Sequence, residues 1–281
     1  MSHHIIEVKD LCYTYPDGTV GLNSVSFRVT HGESVALVGS NGAGKSTLLL
    51  HLNGYLSATR GRVRIGDYPL TRKNLKMVRR SVGVVFQDPD DQLFMPTVFD
   101  DVAFGPLNLG LPDSEVEQKV MQALETVGVP HLRKRPPYKL SGGEKRSVAI
   151  ATVLAMSPDI LVMDEPTASL DPKSRRRLIG LLKTFSHTKI IATHDLDMAL
   201  DLCDRTIVLH RGEITADGST HALFQDEVLL TRSGLEKPLK MQGCPICGEK
   251  GEKHNLRLLS APAEAKVNRV SLKMDGLGAG T

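Results

Sequence analysis

The sequence predicts an α/β fold in which a mixed sheet carries helices on both faces, and three observations lead to that prediction. Ser34–Val38 and the run DILVMD, which ends at Asp164, are short and almost wholly apolar, as strands buried on both faces are. The first run enters a glycine-rich turn and then a helical pattern. The 281 residues, 41 % hydrophobic and 24 % charged, can bury one large core with a small appendage.

Composition and charge exclude several classes of function. The chain has no Trp and only 4 % aromatic residues, which argues against a base-stacking nucleic-acid platform. The net charge of +3 is spread over interspersed acidic and basic residues, so we expect no nucleic-acid partner. No window reaches the roughly 18 apolar residues of a membrane span, and the N-terminal stretch lacks a signal-like apolar region. We therefore expect a cytoplasmic chain without a membrane span of its own.

The stretch GSNGAGKST after the first strand is a phosphate-loop motif. Its glycines let backbone N–H groups turn inward at a helix N-terminus, where the helix dipole favours an anion. The motif predicts that Lys45 reaches the β- and γ-phosphates of ATP, that the Ser46 hydroxyl binds Mg²⁺ and that Thr47 supports the α-phosphate. The alternative is an ordinary glycine-rich turn. The predicted nucleotide contacts are Gly39, Ser40, Asn41, Gly42, Ala43, Gly44, Lys45, Ser46 and Thr47.

Two adjacent carboxylates end the second apolar run. Asp164 is placed to hold Mg²⁺ through water, and Glu165 to polarise the water that attacks the γ-phosphate. The alternative is an acidic pair that merely starts a turn before Pro166.

A second glycine turn, LSGGE at residues 140–144, also precedes a helical pattern but has no lysine or metal ligand of its own. It indicates a site for an anion that belongs to another chain. As an alternative, Ser141 caps the helix and Glu144 completes a capping box, and both interpretations can hold together.

These motifs, in this order from Ile5 to Leu223, resemble the nucleotide-binding subunits of ATP-binding cassette (ABC) transporters. The matching stretches are GSNGAGKST, LSGGE, ILVMDE, SLD and ATHDLD. The resemblance implies a nucleotide-binding domain over 1–225, with a RecA-like phosphate-loop core, an N-terminal antiparallel β part and a helical subdomain at about 88–157.

The resemblance further implies that two such chains, as a homodimer, close head to tail around two ATP molecules. Ser141, Gly142 and Gly143 then serve the partner's nucleotide, His194 contacts the γ-phosphate and Asp171 communicates across the dimer. For His194 the alternative is an ordinary histidine at the end of a strand. Glu144 departs from the glutamine that is usual in the family, which bears on the rate of hydrolysis.

Two further roles are implied by the same resemblance. Gln87 meets Mg²⁺ and the attacking water, so the metal set is Ser46, Gln87 and Asp164. Tyr15 stacks on adenine, although a buried core role for Tyr15, with Tyr13 as the stacking residue, is a competing interpretation.

The stretches FQDPDDQLF and VAFGPLNLGL resemble the energy-coupling factor importers, and within them the cobalt and nickel group. They imply an ATPase, peripheral on the cytoplasmic face of the cell membrane, that drives ion import through separate integral membrane subunits. Asp90 and Asp91 are candidates to pair with basic residues of those subunits. The alternatives are a vitamin-importing complex, which uses two different cassettes, and a soluble cassette ATPase of the iron–sulfur scaffold type.

The last segment, 226–281, has its own composition and is predicted to be a partly disordered tail. Cys244 and Cys247 form a CxxC turn, and His254 is a third candidate ligand for zinc or the transported metal. A pair of reduced thiols is the alternative.

Overall fold

The computed structural model describes residues 4–242. Within that range the chain folds into two β-sheets with α-helices packed around the larger sheet. This is the α/β architecture that the sequence predicts.

The larger sheet has six strands and is mostly parallel. Its strands, in spatial order, are β10 (Glu213–Ser219), β9 (Arg205–His210), β3 (Ser34–Val38), β8 (Thr188–Thr193), β7 (Ile160–Asp164) and β6 (Val82–Val85). Only β10 runs antiparallel to its neighbour. Strands β7 and β8 are buried along their whole length, which explains their continuous apolar sequence.

The smaller sheet is antiparallel and is built from the N-terminal part of the chain. Its spatial order is β2 (Val20–Thr30), β1 (His4–Thr14), β4 (Arg60–Ile65) and β5 (Tyr68–Pro69). Strand β2 alternates buried and exposed residues, as expected for a sheet with one face on the core.

The α-helices of residues 4–242 are α1 (Lys45–Leu52), α2 (Leu75–Ser81), α3 (Val98–Asn108), α4 (Asp113–Thr126), α5 (Gly142–Leu154), α6 (Pro172–Thr184), α7 (Leu196–Leu202), α8 (Thr220–Gln225) and α9 (Glu227–Arg232). Helices α3, α4 and α5 pack on one another. Helix α4 lies within the predicted helical subdomain and buries one face, which carries Val116, Val120, Ala123 and Leu124.

Two apolar cores lie on the two faces of the six-stranded sheet. One includes Leu37, Leu48 and Ile190 and joins this sheet to the smaller sheet and α1. The other includes Met163 and Val148 and extends into the helices α3 to α5. The sheet is therefore held from both sides, which fixes the loops at its edge.

The compact unit runs to Gln242, beyond residue 225, where the sequence places the start of the tail. Leu230 of α9 is buried in the core, and Met241 packs against it. A helix of six residues carries too weak a periodic signal to be recognised from sequence. Cys244, Cys247 and His254 lie outside the described residues. No helix of residues 4–242 is long and apolar enough to cross a membrane.

Candidate nucleotide-binding site

The carboxyl ends of four parallel strands bring the predicted site segments to one edge of the larger sheet. The phosphate loop follows β3, Glu165 follows β7, His194 follows β8 and Gln87 lies just after β6. Ligands of open α/β sheets bind at this edge. Residues far apart in sequence thus lie at one edge of the sheet.

The phosphate loop needs glycine at two positions for different reasons. A Cβ on Gly39 would lie 2.2 Å from the carbonyl oxygen of Leu209, so any side chain would displace β9. Gly44 has φ of 104°, a left-handed conformation that favours glycine. It stands at the N-terminus of α1, where no side chain of the described residues caps the helix. The first N–H groups of α1 are therefore suited to an anion.

Lys45 is folded onto its own loop. Its ammonium Nζ donates to the carbonyl oxygens of Gly39 at 2.8 Å and Ser40 at 3.2 Å. Burial lowers the pKa of Lys45, and the nearby carboxylates of Glu165 and Asp164 oppose that shift. The ammonium is thus fixed beside the predicted phosphate position.

Asp164 is suited to bind Mg²⁺. Its Oδ1 is buried and has no hydrogen-bond partner among residues 4–242, a costly arrangement unless a cation or water completes it. Burial raises the pKa of Asp164, while the Ser46 hydroxyl beside it acts in the opposite direction. A carboxylate and a hydroxyl are hard oxygen ligands of the kind Mg²⁺ takes. These residues therefore fit Mg²⁺.

Glu165 and His194 meet directly. His194 Nδ1 lies 2.9 Å from Glu165 Oε1, and the Thr193 hydroxyl donates to Glu165 Oε2 at 3.2 Å. Glu165 is 6 % exposed and adopts φ of 45°, an unfavourable conformation for a residue with a side chain. Both carboxylate oxygens are held, so the carboxylate has one fixed direction.

An ion pair connects the loop after β8 to helix α6. Arg175 donates to Asp195 Oδ2 from Nε at 2.8 Å and from Nη2 at 2.7 Å, and the backbone N–H of Asp195 donates to Thr193 Oγ1. Asp171 caps the start of α6 by accepting from the backbone N–H groups of Lys173 and Ser174. The exposed carboxylate of Asp171 thus has a structural task in addition to its predicted role.

The two tyrosines stand side by side with different contacts. The Tyr15 hydroxyl lies 2.7 Å from Thr47 Oγ1, which ties it to the phosphate-loop helix. Tyr13 packs edge-on between Tyr15 and the buried His51, with ring centroids 4.9 and 4.8 Å apart. Tyr15 therefore contacts Thr47 of the phosphate-loop motif directly.

Gln87 lies two residues after the end of β6. Its side chain is exposed and lines a cleft with Gly142, Ala168 and Ser169. Its backbone carbonyl accepts a bond of 2.6 Å from Arg146 Nη2. The structure thus places Gln87 between the strand β6 and the second glycine turn.

The second glycine turn forms the capping box that the sequence allows. Glu144 N–H donates to Ser141 Oγ at 3.4 Å, and Glu144 Oε2 accepts from Ser141 N–H at 2.8 Å and from the Ser141 hydroxyl at 2.9 Å. Hydrogen bonds from the Ser141 backbone and hydroxyl lower the pKa of Glu144. The capping bonds therefore hold the Glu144 carboxylate against the Ser141 hydroxyl.

Sequence reasoning missed Thr193 and Arg146. Each acts through a residue distant in the chain, Thr193 through Glu165 and Arg146 through Gln87. The placement of Thr193 beside the strand-end His194 was a usable signal, whereas nothing in the sequence around Arg146 marks its partners.

The phosphate loop, the orphaned Asp164 oxygen and the oriented Glu165 define a phosphate-loop nucleotide hydrolase. Residues 22–168, more than half of the chain, match the model of the family described as ABC transporter. The chain belongs to this family and is an ATP-hydrolysing transporter subunit.

Relatives agree over nearly the whole described range. A Geobacter sulfurreducens protein with the provisional name ABC transporter ATP-binding protein is 69 % identical over 88 % of this chain and 100 % of its own length. The energy-coupling factor transporter ATP-binding protein EcfA of Methanocaldococcus jannaschii is 48 % identical over 84 % of this chain and 86 % of its own.

Solved structures show the same fold. CbiO1 of Clostridium perfringens, described as part of the ABC transporter complex CbiONQ, is 40 % identical with a TM-score of 0.72, and the match covers 82 % of this chain and 94 % of CbiO1. The ATP-binding cassette MJ0796, solved as a dimer with ADP and Pi, is 29 % identical with a TM-score of 0.70 over 76 % of this chain and 98 % of its own.

Proposed function

We propose that this chain is the ATPase of an energy-coupling factor importer and that it drives uptake of cobalt or nickel ions through separate membrane subunits. The likeness to EcfA and to CbiO1 supports the importer class. The observation that carries the proposal is a groove lined by Phe86 and Gln92, which lie on either side of Gln87 in the chain.

The groove, which we call the docking groove, has a volume of about 750 Å³ and lies between α2, β6, α3 and α5. Phe94 and Phe104 stand at its rim, 64 % and 44 % exposed, with ring centroids 5.2 Å apart. An exposed aromatic pair is typical of a surface that packs against a partner.

Charge selects the kind of occupant. Four basic residues line the groove on the side of α2: Arg72, Lys76, Arg79 and Arg80. Asp90, a candidate partner for basic residues of the membrane subunits, contacts Lys145 of its own chain at 2.6 Å. We therefore assign the groove to a short cytoplasmic helix of a membrane subunit that carries apolar residues toward Phe94 and Phe104 and carboxylates toward α2.

Two copies of the chain complete the catalytic unit. The turn Ser141–Gly143 offers backbone N–H groups at a helix N-terminus but has no phosphate-binding lysine, so it serves the γ-phosphate held by the other copy. The dimeric ATP-binding cassette MJ0796 supports this arrangement by similarity.

Within each site the chain's own residues position the phosphates and polarise the attacking water. Lys45 and the N-terminus of α1 hold the phosphates, and Glu165 accepts the proton of the attacking water while His194 and Thr193 fix its carboxylate. Ser46 and Asp164, together with Gln87, would hold Mg²⁺, which would supply positive charge to the phosphate oxygens.

The test is a purification of the tagged chain from native membranes, with identification of the proteins that accompany it. Cellular cobalt and nickel are measured in parallel in a Lys45→Ala strain and in a Phe94→Glu, Phe104→Glu strain. We expect small membrane proteins to accompany the wild-type chain and cellular cobalt or nickel to fall in both strains. The groove variant should keep its ATPase rate as a purified chain but lose the membrane proteins.

Other outcomes identify the alternatives. A second, different cassette in the complex together with unchanged metal content would favour a vitamin importer. Soluble partners alone would replace the proposal with the scaffold type of ATPase.

A further inference from the structure

Side-chain contacts at three places hold segment 86–92, which follows β6, against helix α5. The first is an ion pair, in which Lys145 Nζ contacts Asp90 Oδ1 at 2.6 Å and Oδ2 at 2.9 Å. Asp90 belongs to a short 3₁₀ turn, Pro89–Asp91, that begins two residues after Gln87.

The second fastening is the guanidinium of Arg146. Nη1 donates to the carbonyl oxygen of Phe86 at 2.8 Å, and Nη2 donates to that of Gln87 at 2.6 Å. Two successive carbonyls are held by one planar group, which fixes the orientation of the peptide as well as its position.

The third fastening is Gln92. Its Nε2 donates to the carbonyl oxygen of Ala149 at 2.8 Å and to the Thr152 hydroxyl at 2.6 Å. Its Oε1 accepts from the backbone N–H of Phe86 at 3.2 Å. The segment is thus closed on itself and fixed to α5.

These contacts follow one face of the helix. Lys145, Ala149 and Thr152 are spaced four and three residues apart, so they lie above one another on α5. The N-terminus of the same helix carries the turn Ser141–Gly143. Gln87 and this turn are therefore attached to one element, while β6, which ends at Val85, belongs to the sheet.

Burial of the charged Arg146 guanidinium is unfavourable in free energy for a purely structural contact. It is 4 % exposed, and its Nε has no hydrogen-bond partner among residues 4–242. Burial lowers the pKa of Arg146, and Asp88 and Asp164 oppose that shift. A buried cation that is bonded only to carbonyls is disfavoured relative to an apolar residue unless its contacts serve another purpose.

We propose that Arg146 is a positioning residue that makes the Gln87 segment and the Ser141–Gly143 turn move as one unit. Gln87 serves the chain's own nucleotide, and the turn serves the nucleotide of the other copy, so Arg146 couples the two sites. The hinge between sheet and helices then lies between Val85 and Phe86. The roles of Gln87 and Ser141 in this inference rest on the proposed function. The shared movement of the two segments does not depend on it.

The shared movement is tested by backbone hydrogen exchange of the full chain without nucleotide, in peptides that cover residues 86–93. We expect Arg146→Lys, which can reach one carbonyl at a time, to speed exchange there about 10-fold. Arg177→Met is the matched control, because Arg177 also donates to a backbone carbonyl, that of Gly128. Its exchange in this segment should equal that of the wild type. Equal exchange in Arg146→Lys and wild type would overturn the proposal.

The coupling is tested by a double-mutant cycle of Arg146→Lys and Gln87→Ala on steady-state ATP hydrolysis. We expect Arg146→Lys to lower kcat about 10-fold with KM for ATP unchanged when Gln87 is present. When Ala replaces Gln87, the same change should lower kcat by less than about 2-fold. Equal losses in both backgrounds would show that Arg146 does not act through Gln87.

The two tests separate this inference from the proposed function. A wild-type chain that does not hydrolyse ATP would refute the proposed function and leave the exchange experiment valid. A wild-type chain that hydrolyses ATP but shows additive losses and unchanged exchange would refute the inference alone.

Discussion

Glu165 Oε1 lies 2.9 Å from His194 Nδ1, although 28 residues and a complete helix separate the two in sequence. The contact exists because β7 and β8 are adjacent parallel strands that end at the same edge of the sheet. The left-handed backbone of Glu165 turns the carboxylate toward β8, and Thr193 holds the other oxygen. The site therefore depends on strand order as much as on residue type.

Glu165→Gln should lower ATP hydrolysis about 10²- to 10⁴-fold, because the amide keeps the shape of the side chain but cannot accept the proton. Binding of ATP should be unchanged. Phosphate release and equilibrium binding of a fluorescent ATP analogue measure the two quantities. Glu33→Gln is the control, since Glu33 pairs with Arg205 at 2.9 Å and lies at the amino end of β3. Equal rates for Glu165→Gln and wild type would remove Glu165 from the reaction.

Thr193→Val should lower kcat about 3- to 10-fold and leave KM for ATP unchanged. The change removes the hydroxyl that donates to Glu165 Oε2 and accepts from the Asp195 N–H, but it fills the same buried volume. One such bond is worth roughly 1 kcal/mol. Steady-state kinetics measure the effect. Thr193→Ser, which keeps the hydroxyl, should recover most of the rate, and failure of that recovery would assign the loss to packing.

Tyr15→Trp should create a fluorescence signal that responds to ATP, because the chain has no other Trp and position 15 contacts the phosphate-loop helix. Tyr13→Trp is the matched comparison, since Tyr13 packs between Tyr15 and His51. Fluorescence titration of both variants measures the response. A larger response from Trp at position 13 would assign the adenine contact to Tyr13.

Glu144→Gln should lower the ATP concentration that supports half-maximal hydrolysis about 3-fold or more. The negatively charged Glu144 carboxylate accepts a hydrogen bond from the Ser141 hydroxyl, in the turn proposed to hold the partner's γ-phosphate. Glutamine removes that charge and can still accept the capping bond from the Ser141 N–H. Hydrolysis as a function of ATP concentration, with thermal unfolding as a check of the cap, measures the effect. An unchanged half-maximal concentration would contradict the proposed position of the phosphate.

Asp101→Asn should weaken the dependence of stability on pH. Burial raises the pKa of Asp101, whose Oδ1 accepts from two backbone N–H groups while Oδ2 has no partner within residues 4–242. The folded chain therefore binds this proton more tightly than the unfolded chain, and stability falls as pH rises from about 4 through the raised pKa. Asparagine carries no such proton. The Tm of the variant relative to that of the wild type should thus be higher at pH 7 than at pH 4.5. A constant difference between the two curves would show that Asp101 does not titrate in this range.

The sequence alone predicted the parts of the site that are local. The phosphate loop, the strand Ser34–Val38 and the capping box of Ser141 and Glu144 each depend on neighbours in the chain, so spacing suffices to predict them. The docking of α9 and the pairing of Asp90 with Lys145 were not predicted, because they depend on packing between distant segments.

The same distinction explains the catalytic carboxylate. Residue type and position after a buried strand marked Glu165, but its positive φ and its bond to Thr193 follow from the neighbouring strand β8. Tertiary contacts of this kind leave no periodic pattern in the sequence.

The bonds from Lys45 to the carbonyls of Gly39 and Ser40 join the first turn of α1 to the start of the phosphate loop. The chain's own atoms therefore specify the shape of this loop, and its conformational entropy is lost when the domain folds rather than when a nucleotide arrives. A preorganised loop of this kind lets the protein bind and release nucleotide through many cycles without a folding step in any of them.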